Sequence, residues 1–345
     1  MTEVPGLDVA GLTAWLADTH PELADAPLTA SVIAGGRSNL TYAVDGAHTP
    51  LIVRRPPLGH VLSSAHDMRR EHRVISALAG SAVPVPKAIA VVDDTADARV
   101  TGTVFFVMER ASGRVLARPA HNASYTPAGL RSLSIELIER LADLHAVDPA
   151  AVGLEDFGRP DGYLARQLTT WRRQLDASRS RATPALDALQ ASLTGGMPAS
   201  GRSGIVHGDY RLDNALVVGD ADDPHISAIL DWEMATLGDP FVDLGIFALY
   251  WDIASLPGGL EGAVPSAVDP AAGYPAFDEL VAVYAERAGI EIPDLRWYRA
   301  FAAYKLAVIL EGIHFRYQAG DTVGSGFDRM GALVEPLATK GLEVR

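Results

Sequence analysis

The chain has no cysteine, so it forms no disulfide and offers no thiolate nucleophile, which fits a reducing compartment. It has no apolar run near the roughly 18 residues that span a membrane. The opening residues, MTEVPGLDVAG, lack the basic and apolar segments of a signal peptide, so a cytoplasmic location is predicted. Positive charge is in short supply. Lys and Arg number 29 against 43 Asp and Glu, for a formal net charge of −14. That disfavours non-specific nucleic-acid binding, although a local basic site can still receive a polyanion. No repeat of 20–50 residues and no low-complexity tract is visible. What the chain does have is length and apolar content. At 345 residues and 48% hydrophobic it exceeds one small core and predicts two lobes.

The texture changes along the chain. Residues 7–19 read as a short surface helix. "LTASVIAGG" and "TYAVDG" read as strands around a glycine turn, and "LIVRR" as a third strand ended by Pro56-Pro57. "SSAHDMRREHRVISALAG" predicts a helix capped by Ser63 or Ser64 and stopped at Gly80. "KAIAVVDD" and "GTVFFVMER" add two strands. From there helices dominate. Thr126 caps one with Pro127 at its first position, and Leu130, Leu133, Leu137, Leu141 and Leu144 make its apolar stripe. Another covers roughly 161–180. "SGIVHGD" is a short strand, "ALVVGDADDPHISAILDW" a hairpin, and "WYRAFAAYKLAVILEGIHFRYQAG" a long helix ending at Gly320. The fold class is therefore α+β, with a small β-rich N-lobe (1–109) and a larger helical C-lobe (110–345).

Within "HGDYRLDNALV", residues 207–217, Asn214 follows Asp209 by five, and Asp231 stands past the hairpin in "ILDWE". Single Asp and Asn residues in loops are usually turn formers. The whole order, H-G-D-x4-N, hairpin, D-W-E, matches the assembly of a kinase site. There the first Asp accepts a hydroxyl proton, and the Asn and second Asp hold Mg2+ against nucleotide phosphates. Hard oxygen ligands suit Mg2+, and the protein's task is positioning and charge neutralisation.

These pieces resemble the aminoglycoside phosphotransferase-like family, small-molecule kinases with a bilobal protein-kinase-like fold. The likeness runs from "GGRSNLTYAV" to the last helices and is most specific in "HGDYRLDNALV" and "ILDWEMATLGDPFVDLG". "LIVRRPP", "FFVMER" and "LGDPFVDLG" carry a closer likeness to the kinase-like domain joined to acyl-CoA dehydrogenase modules. The resemblance implies that Asp209 is the catalytic base and that Asn214 and Asp231 are Mg2+ ligands. His207 would be structural, and Asp243 would tie down the catalytic loop.

The nucleotide side can be read separately. In "AGGRSN", Gly35 and Gly36 allow close backbone approach and Ser38 and Asn39 offer donors to phosphate, although a plain Gly-Gly hairpin turn explains the stretch equally. Arg54 on the third strand stands where protein kinases carry Lys, and Arg can serve because it binds phosphate bidentately. Arg55 faces the other way and reads as a solvated strand-end charge. On the following helix Glu71 shares a face with Met68, Ile75 and Leu78. A carboxylate there needs a partner. Arg54 is the expected one, with a neighbouring Arg or solvent as the alternative. An adenine edge would meet backbone near Met108, Glu109 and Arg110, packed under Ile52. Phe105 and Phe106 are explained by core packing, and His145 by a satisfied helix end. The expected cofactors are ATP, with GTP as a possibility, and Mg2+.

The acceptor is a small molecule bearing a hydroxyl. Residues 163–183 hold Arg166, Arg172, Arg173, Arg179 and Arg181 against one acid, Asp176. Such a run is usually a solvated face. At this place in the chain it also suits an anionic acceptor, with Arg166, Arg172 and Arg173 as candidate contacts. A hydroxyacyl-CoA fits, whereas a polycationic aminoglycoside does not. Arg211 either reaches the transferring phosphate or braces the loop. The competing readings are an antibiotic kinase, a nucleotide-binding pseudokinase module, and a metal-dependent hydrolase. The last would want several His ligands, and no His cluster is present.

Overall fold

The computed structural model describes residues 4–33, 39–58, 67–199, 201–253, 264, 266–320 and 326–345. The chain divides into two compact units. One comprises 1–112 together with 227–233, and the other 113–226 together with 234–345.

The first unit opens with α1 (Val9–Thr19), capped by Asp8 and burying Leu12 and Leu16. Strands β1 (Ala24–Val32), β2 (Leu40–Ala47) and β3 (Leu51–Arg55) follow. Next come α2 (Met68–Leu78), β4 (Ala88–Asp93) and β5 (Val104–Glu109). The sheet is antiparallel throughout, in the order β1-β2-β3-β5-β4. Five strands with a helix after the third is the arrangement expected from the sequence. The period-two alternation of strands sorts the side chains. Tyr42, Val44, Leu51, Val53, Phe105 and Val107 join Leu12 and Leu16 in one buried cluster. Ile52, Phe106 and Met108 belong to the intervening positions and are also buried.

Two local expectations change. Ser63 and Ser64 lie outside the described residues. The cap of α2 is Asp67, whose side chain accepts from the N–H groups of Arg69 and Arg70. Gly80, at φ +84°, does mark the stop. Arg55 is not a solvated charge but 5% exposed. Its Nη1 donates to the Gly6 and Thr101 carbonyls, at 2.8 and 3.0 Å, so it ties the N-terminal segment to the sheet.

The second unit is mainly helical. After β6 (Arg114–Val115), α3 (Pro127–Ala146) starts at Thr126, whose hydroxyl accepts from Gly129 N–H. Leu130, Leu133, Leu137, Leu141 and Leu144 are all buried, each contributing about 1.5–3 kcal/mol. Helices α4 (Tyr163–Ser178) and α5 (Pro184–Gly195) lead to β7 (Gly204–Val206). After the loop that follows, β8 (Ala215–Gly219) pairs with β6. Strand β9 (Pro224–Ile229) begins in this unit, and its last residues count with the first unit. Strand β10 (Thr236–Gly238) pairs antiparallel with β7. Helices α6 (Phe241–Trp251), α7 (Phe277–Ala288), α8 (Arg296–Gln318) and α9 (Met330–Val344) complete it. Helix α8 runs through the interior, packed by α4, α5, α6 and α9. Among the described residues, no helix is long and apolar enough to cross a membrane.

Candidate active site

In the second unit the loop 207–214 is held from beneath by Asp243, on the first turn of α6 and fully buried. Its carboxylate accepts from the N–H groups of His207 and Gly208, at 2.7 and 2.8 Å. It also lies 3.2 Å from His145 Nε2. These contacts hold the Asp243 carboxyl below its ordinary range, against the opposing effect of burial. His145 meets Tyr284 through its other ring nitrogen at 2.8 Å, so it is a satisfied core histidine, as expected. His207 is buried and accepts from Asp209 N–H at 3.2 Å. Tyr210 anchors the loop to α3 by donating to the Leu137 carbonyl at 2.7 Å.

The loop's chemistry converges on Asp209, whose side chain is 22% exposed. Asn214 Nδ2 donates to the Asp209 carbonyl at 2.8 Å and to Asp209 Oδ2 at 3.0 Å. This fixes the carboxylate and leaves the amide oxygen as Asn214's acceptor end. Arg211 places Nε 3.4 Å from Asp209 Oδ2 and Nη2 3.2 Å from Asp213. Its guanidinium lies over the Tyr250 ring, 4.5 Å from the centre.

In the first unit a second constellation forms. Arg54 on β3 reaches Glu71 on α2 at 2.8 Å and Asp231 at 3.5 Å. The expected ion pair is present. The Arg54–Glu71 contact is close but not aligned as a hydrogen bond. Among the described residues, Arg54 Nε and both Glu71 oxygens are buried with no hydrogen-bond partner. Glu71 is 1% exposed, and burial pushes its carboxyl up to about 7. Arg54 opposes that rise, while Asp231 and Glu233 add to it. Asp231 has φ +64°, in the left-handed region that non-glycine residues seldom occupy. Asn39 is buried and donates to Glu233 Oε2 at 2.9 Å. Gly35, Gly36 and Ser38 lie outside the described residues.

Ile52 and Met108 are in register across β3 and β5, both buried. The N–H groups of Glu109 and Arg110 are spent on the Lys87 and Pro50 carbonyls, at 2.9 and 2.8 Å. Their side chains pair with Lys87 and Asp45. An adenine edge therefore needs another donor on this segment, a restriction invisible in the sequence.

The arginine run is less bare than its count suggested. Arg172 contacts Asp176, Asp187 and Gln190. Arg179 forks onto Asp187. Arg181 pairs with the fully buried Glu311. Arg166 donates to the Asp161 and Arg159 carbonyls, and both Arg166 and Arg173 are exposed. Sequence reading missed Lys305, whose signal was a charge inside the apolar run "FAAYKLAVIL", and Glu233 as the partner of Asn39.

The oxygen donors at Asn214 and Asp231 are of the hard kind that Mg2+ takes. Among the described residues no group of three or more His, Cys, Asp or Glu could cage a metal.

Residues 29–301 match the model of the phosphotransferase enzyme family. The chain belongs to that family. It is similar to the acyl-CoA dehydrogenase family member 11 of Rattus norvegicus, 33% identical over 344 residues. That match covers 98% of this chain and 43% of the relative, so the chain spans less than half the relative's length. A crystal structure from Ralstonia eutropha, provisionally described as an aminoglycoside phosphotransferase, is 33% identical with a TM-score of 0.82, covering 98% of both chains. A thermostable mutant of the aminoglycoside phosphotransferase APH(4)-Ia, solved with AMP-PNP and hygromycin B, has a TM-score of 0.61 at 15% identity. It covers 97% of this chain and 98% of its own, and shares the fold. The kinase-like α+β fold and the family expected from the motifs are thus those found.

Proposed function

We propose that this chain transfers the γ-phosphoryl group of Mg2+-ATP to a hydroxyl of a small anionic molecule. The observation that carries the reading is the arrangement at Asp209. Its carboxylate is partly open to solvent, oriented by Asn214 Nδ2 and Arg211, on a loop whose N–H groups are held by buried Asp243. Asp209 takes the acceptor's proton as the hydroxyl oxygen bonds to the γ-phosphorus. The bond from that phosphorus to the bridging oxygen breaks, giving a phosphate ester and ADP. Arg211 keeps the base in place.

When bound, Mg2+ supplies charge neutralisation to the nucleotide phosphates, and Asn214 and Asp231 are the residues that would hold it. Arg54 supplies fixed positive charge toward phosphate, and its buried Nε, which has no hydrogen-bond partner among the described residues, is an atom a phosphate oxygen would satisfy. Gly35, Gly36, Ser38 and Asn39 are assigned to the phosphate cover. Ile52 and Met108 are assigned to the base pocket. GTP remains the alternative donor.

Two things favour an anionic acceptor of the hydroxyacyl-CoA kind. The similar rat protein is named for acyl-CoA dehydrogenation, and Arg166 and Arg173 present exposed guanidinium groups on α4. The test is mass spectrometry after incubating wild type and Asp209→Asn with Mg2+-ATP. The panel holds hydroxyacyl-CoAs, free hydroxy acids, aminoglycosides and macrolides. A gain of one phosphate on a CoA ester, absent with Asp209→Asn, is expected. Gain only on an antibiotic replaces the acceptor class. Equal turnover by Asp209→Asn removes Asp209 as base. Nucleotide binding without any transfer favours the regulatory-module reading.

A further inference from the structure

Lys305 lies near the middle of α8 and is only 7% exposed. It is one of three lysines in the chain, with Lys87 and Lys340. Its Nζ donates to the carbonyl of Gly208, the residue immediately before Asp209. It also sits 3.6 Å from Met234 Sδ and 5.4 Å from the centre of the Trp171 ring on α4. Gly208 itself has φ +86°, and a Cβ there would come within 2.8 Å of Met234 Cβ. The peptide that carries the base is therefore wedged on one side by Met234 and gripped at its carbonyl by Lys305.

A neutral donor would satisfy that carbonyl at lower cost, because burial disfavours an ammonium. The charges facing Lys305 explain what a cation adds there. Asp209 on the loop and Asp243 on α6 favour its charged form, and Arg211 opposes it. Burial is nonetheless the largest influence and holds the Lys305 amine below its ordinary range. Around Asp209, Arg211 and Asn214 act from within the loop, and Lys305 acts from α8.

We propose that Lys305 is a positioning residue for phosphoryl transfer: its ammonium fixes the Gly208 carbonyl, and hence the Asp209 side chain that follows, and sets positive charge behind the base. The proposal rests on Asp209 being the base. It adds a residue from the far end of the chain that does not touch the reactants.

The test has two arms. In the first, protein labelled with [13Cε]-lysine gives three side-chain signals, and that of Lys305 is assigned by its loss in Lys305→Arg. The label is titrated in wild type and in Asp209→Asn. Charge coupling is mutual, so removing the Asp209 charge lowers the Lys305 titration point. Lys87 and Lys340 stay unmoved. An unmoved Lys305 overturns the proposal without any assay of activity. In the second arm, Mg2+-ATP turnover is followed for Lys305→Met and Lys305→Arg. Loss of positioning lowers kcat by about 10- to 100-fold in Lys305→Met, with nucleotide Kd and KM within about threefold. Lys305→Arg recovers much of kcat. Wild-type kcat in Lys305→Met overturns the proposal. If Lys305→Met does not fold, the labelled-lysine arm decides. Turnover that survives Asp209→Asn refutes the base itself and, with it, the role of Lys305.

Discussion

Replacing Glu71 by Gln tests the electrostatics of the first unit against ordinary intuition about ion pairs. Breaking a buried pair typically costs about 3–5 kcal/mol, because a charge is left uncompensated. Here the balance differs. Glu71 is 1% exposed and titrates at about 7, since burial and the nearby Asp231 and Glu233 outweigh Arg54. In the unfolded chain a Glu titrates near its ordinary value, about 4.3. Between those two values the folded state holds a proton that the unfolded state has released. Stability then falls as pH rises, at up to about 1.4 kcal/mol per unit, and levels off above about 7. Gln mimics the protonated side chain and lacks this slope. Arg54 keeps Asp231 as a partner at 3.5 Å. Going from pH 5.5 to 8.5, Glu71→Gln therefore gains about 2 kcal/mol on wild type. The two proteins are expected to lie within about 1 kcal/mol at the acid end, where both side chains are neutral. Urea denaturation of both proteins across that range, read by fluorescence and circular dichroism, gives the difference directly. If the two units unfold separately, the transition of the β-rich unit is used. A difference that does not change with pH, or a variant less stable than wild type at pH 8.5, refutes the reasoning.

Two further outcomes follow from the backbone. Asp231→Gly removes a side chain from the left-handed region (φ +64°) and is expected to stabilise by up to about 1 kcal/mol, while Mg2+-dependent nucleotide binding is lost; thermal melts and calorimetric titration measure the two effects. Gly208→Ala adds a Cβ at φ +86° against Met234 and is expected to cost about 1–3 kcal/mol, with kcat falling more than nucleotide affinity; denaturation and steady-state kinetics check it.

The sequence made legible what depends on periodicity and close spacing. Five leucines at spacings of three and four gave the buried face of α3. The alternation of β3 put Arg54 and Arg55 on opposite faces, and the stripe of α2 brought Glu71 to Arg54. Periodicity assigns a face but not its depth, which is why Arg55, on the other face, was misread as solvated. It lies under the N-terminal segment, and nothing near residue 55 reports that Gly6 and Thr101 close over it. The cap of α2 was misplaced for a local reason. Ser63, Ser64 and Asp67 are all good caps, and only the backbone chooses among them.

The arginine run of residues 163–181 shows the same limit acting on function. Counted along the segment it carries a net charge of +4, which makes an anionic acceptor attractive. Folding brings in acids from elsewhere: Asp187 to Arg172 and Arg179, and Glu311, 130 residues away, to Arg181. Glu311 is fully buried, so Arg181 neutralises the core rather than waiting for a ligand. The cationic surface shrinks to the exposed Arg166 and Arg173, with Arg172 shared between Asp176 and Asp187. If an anionic acceptor binds α4, substitutions at Arg173 should raise its KM, and substitution at Arg181 should act chiefly through stability. A count along the chain treats these residues alike; the pairing separates them.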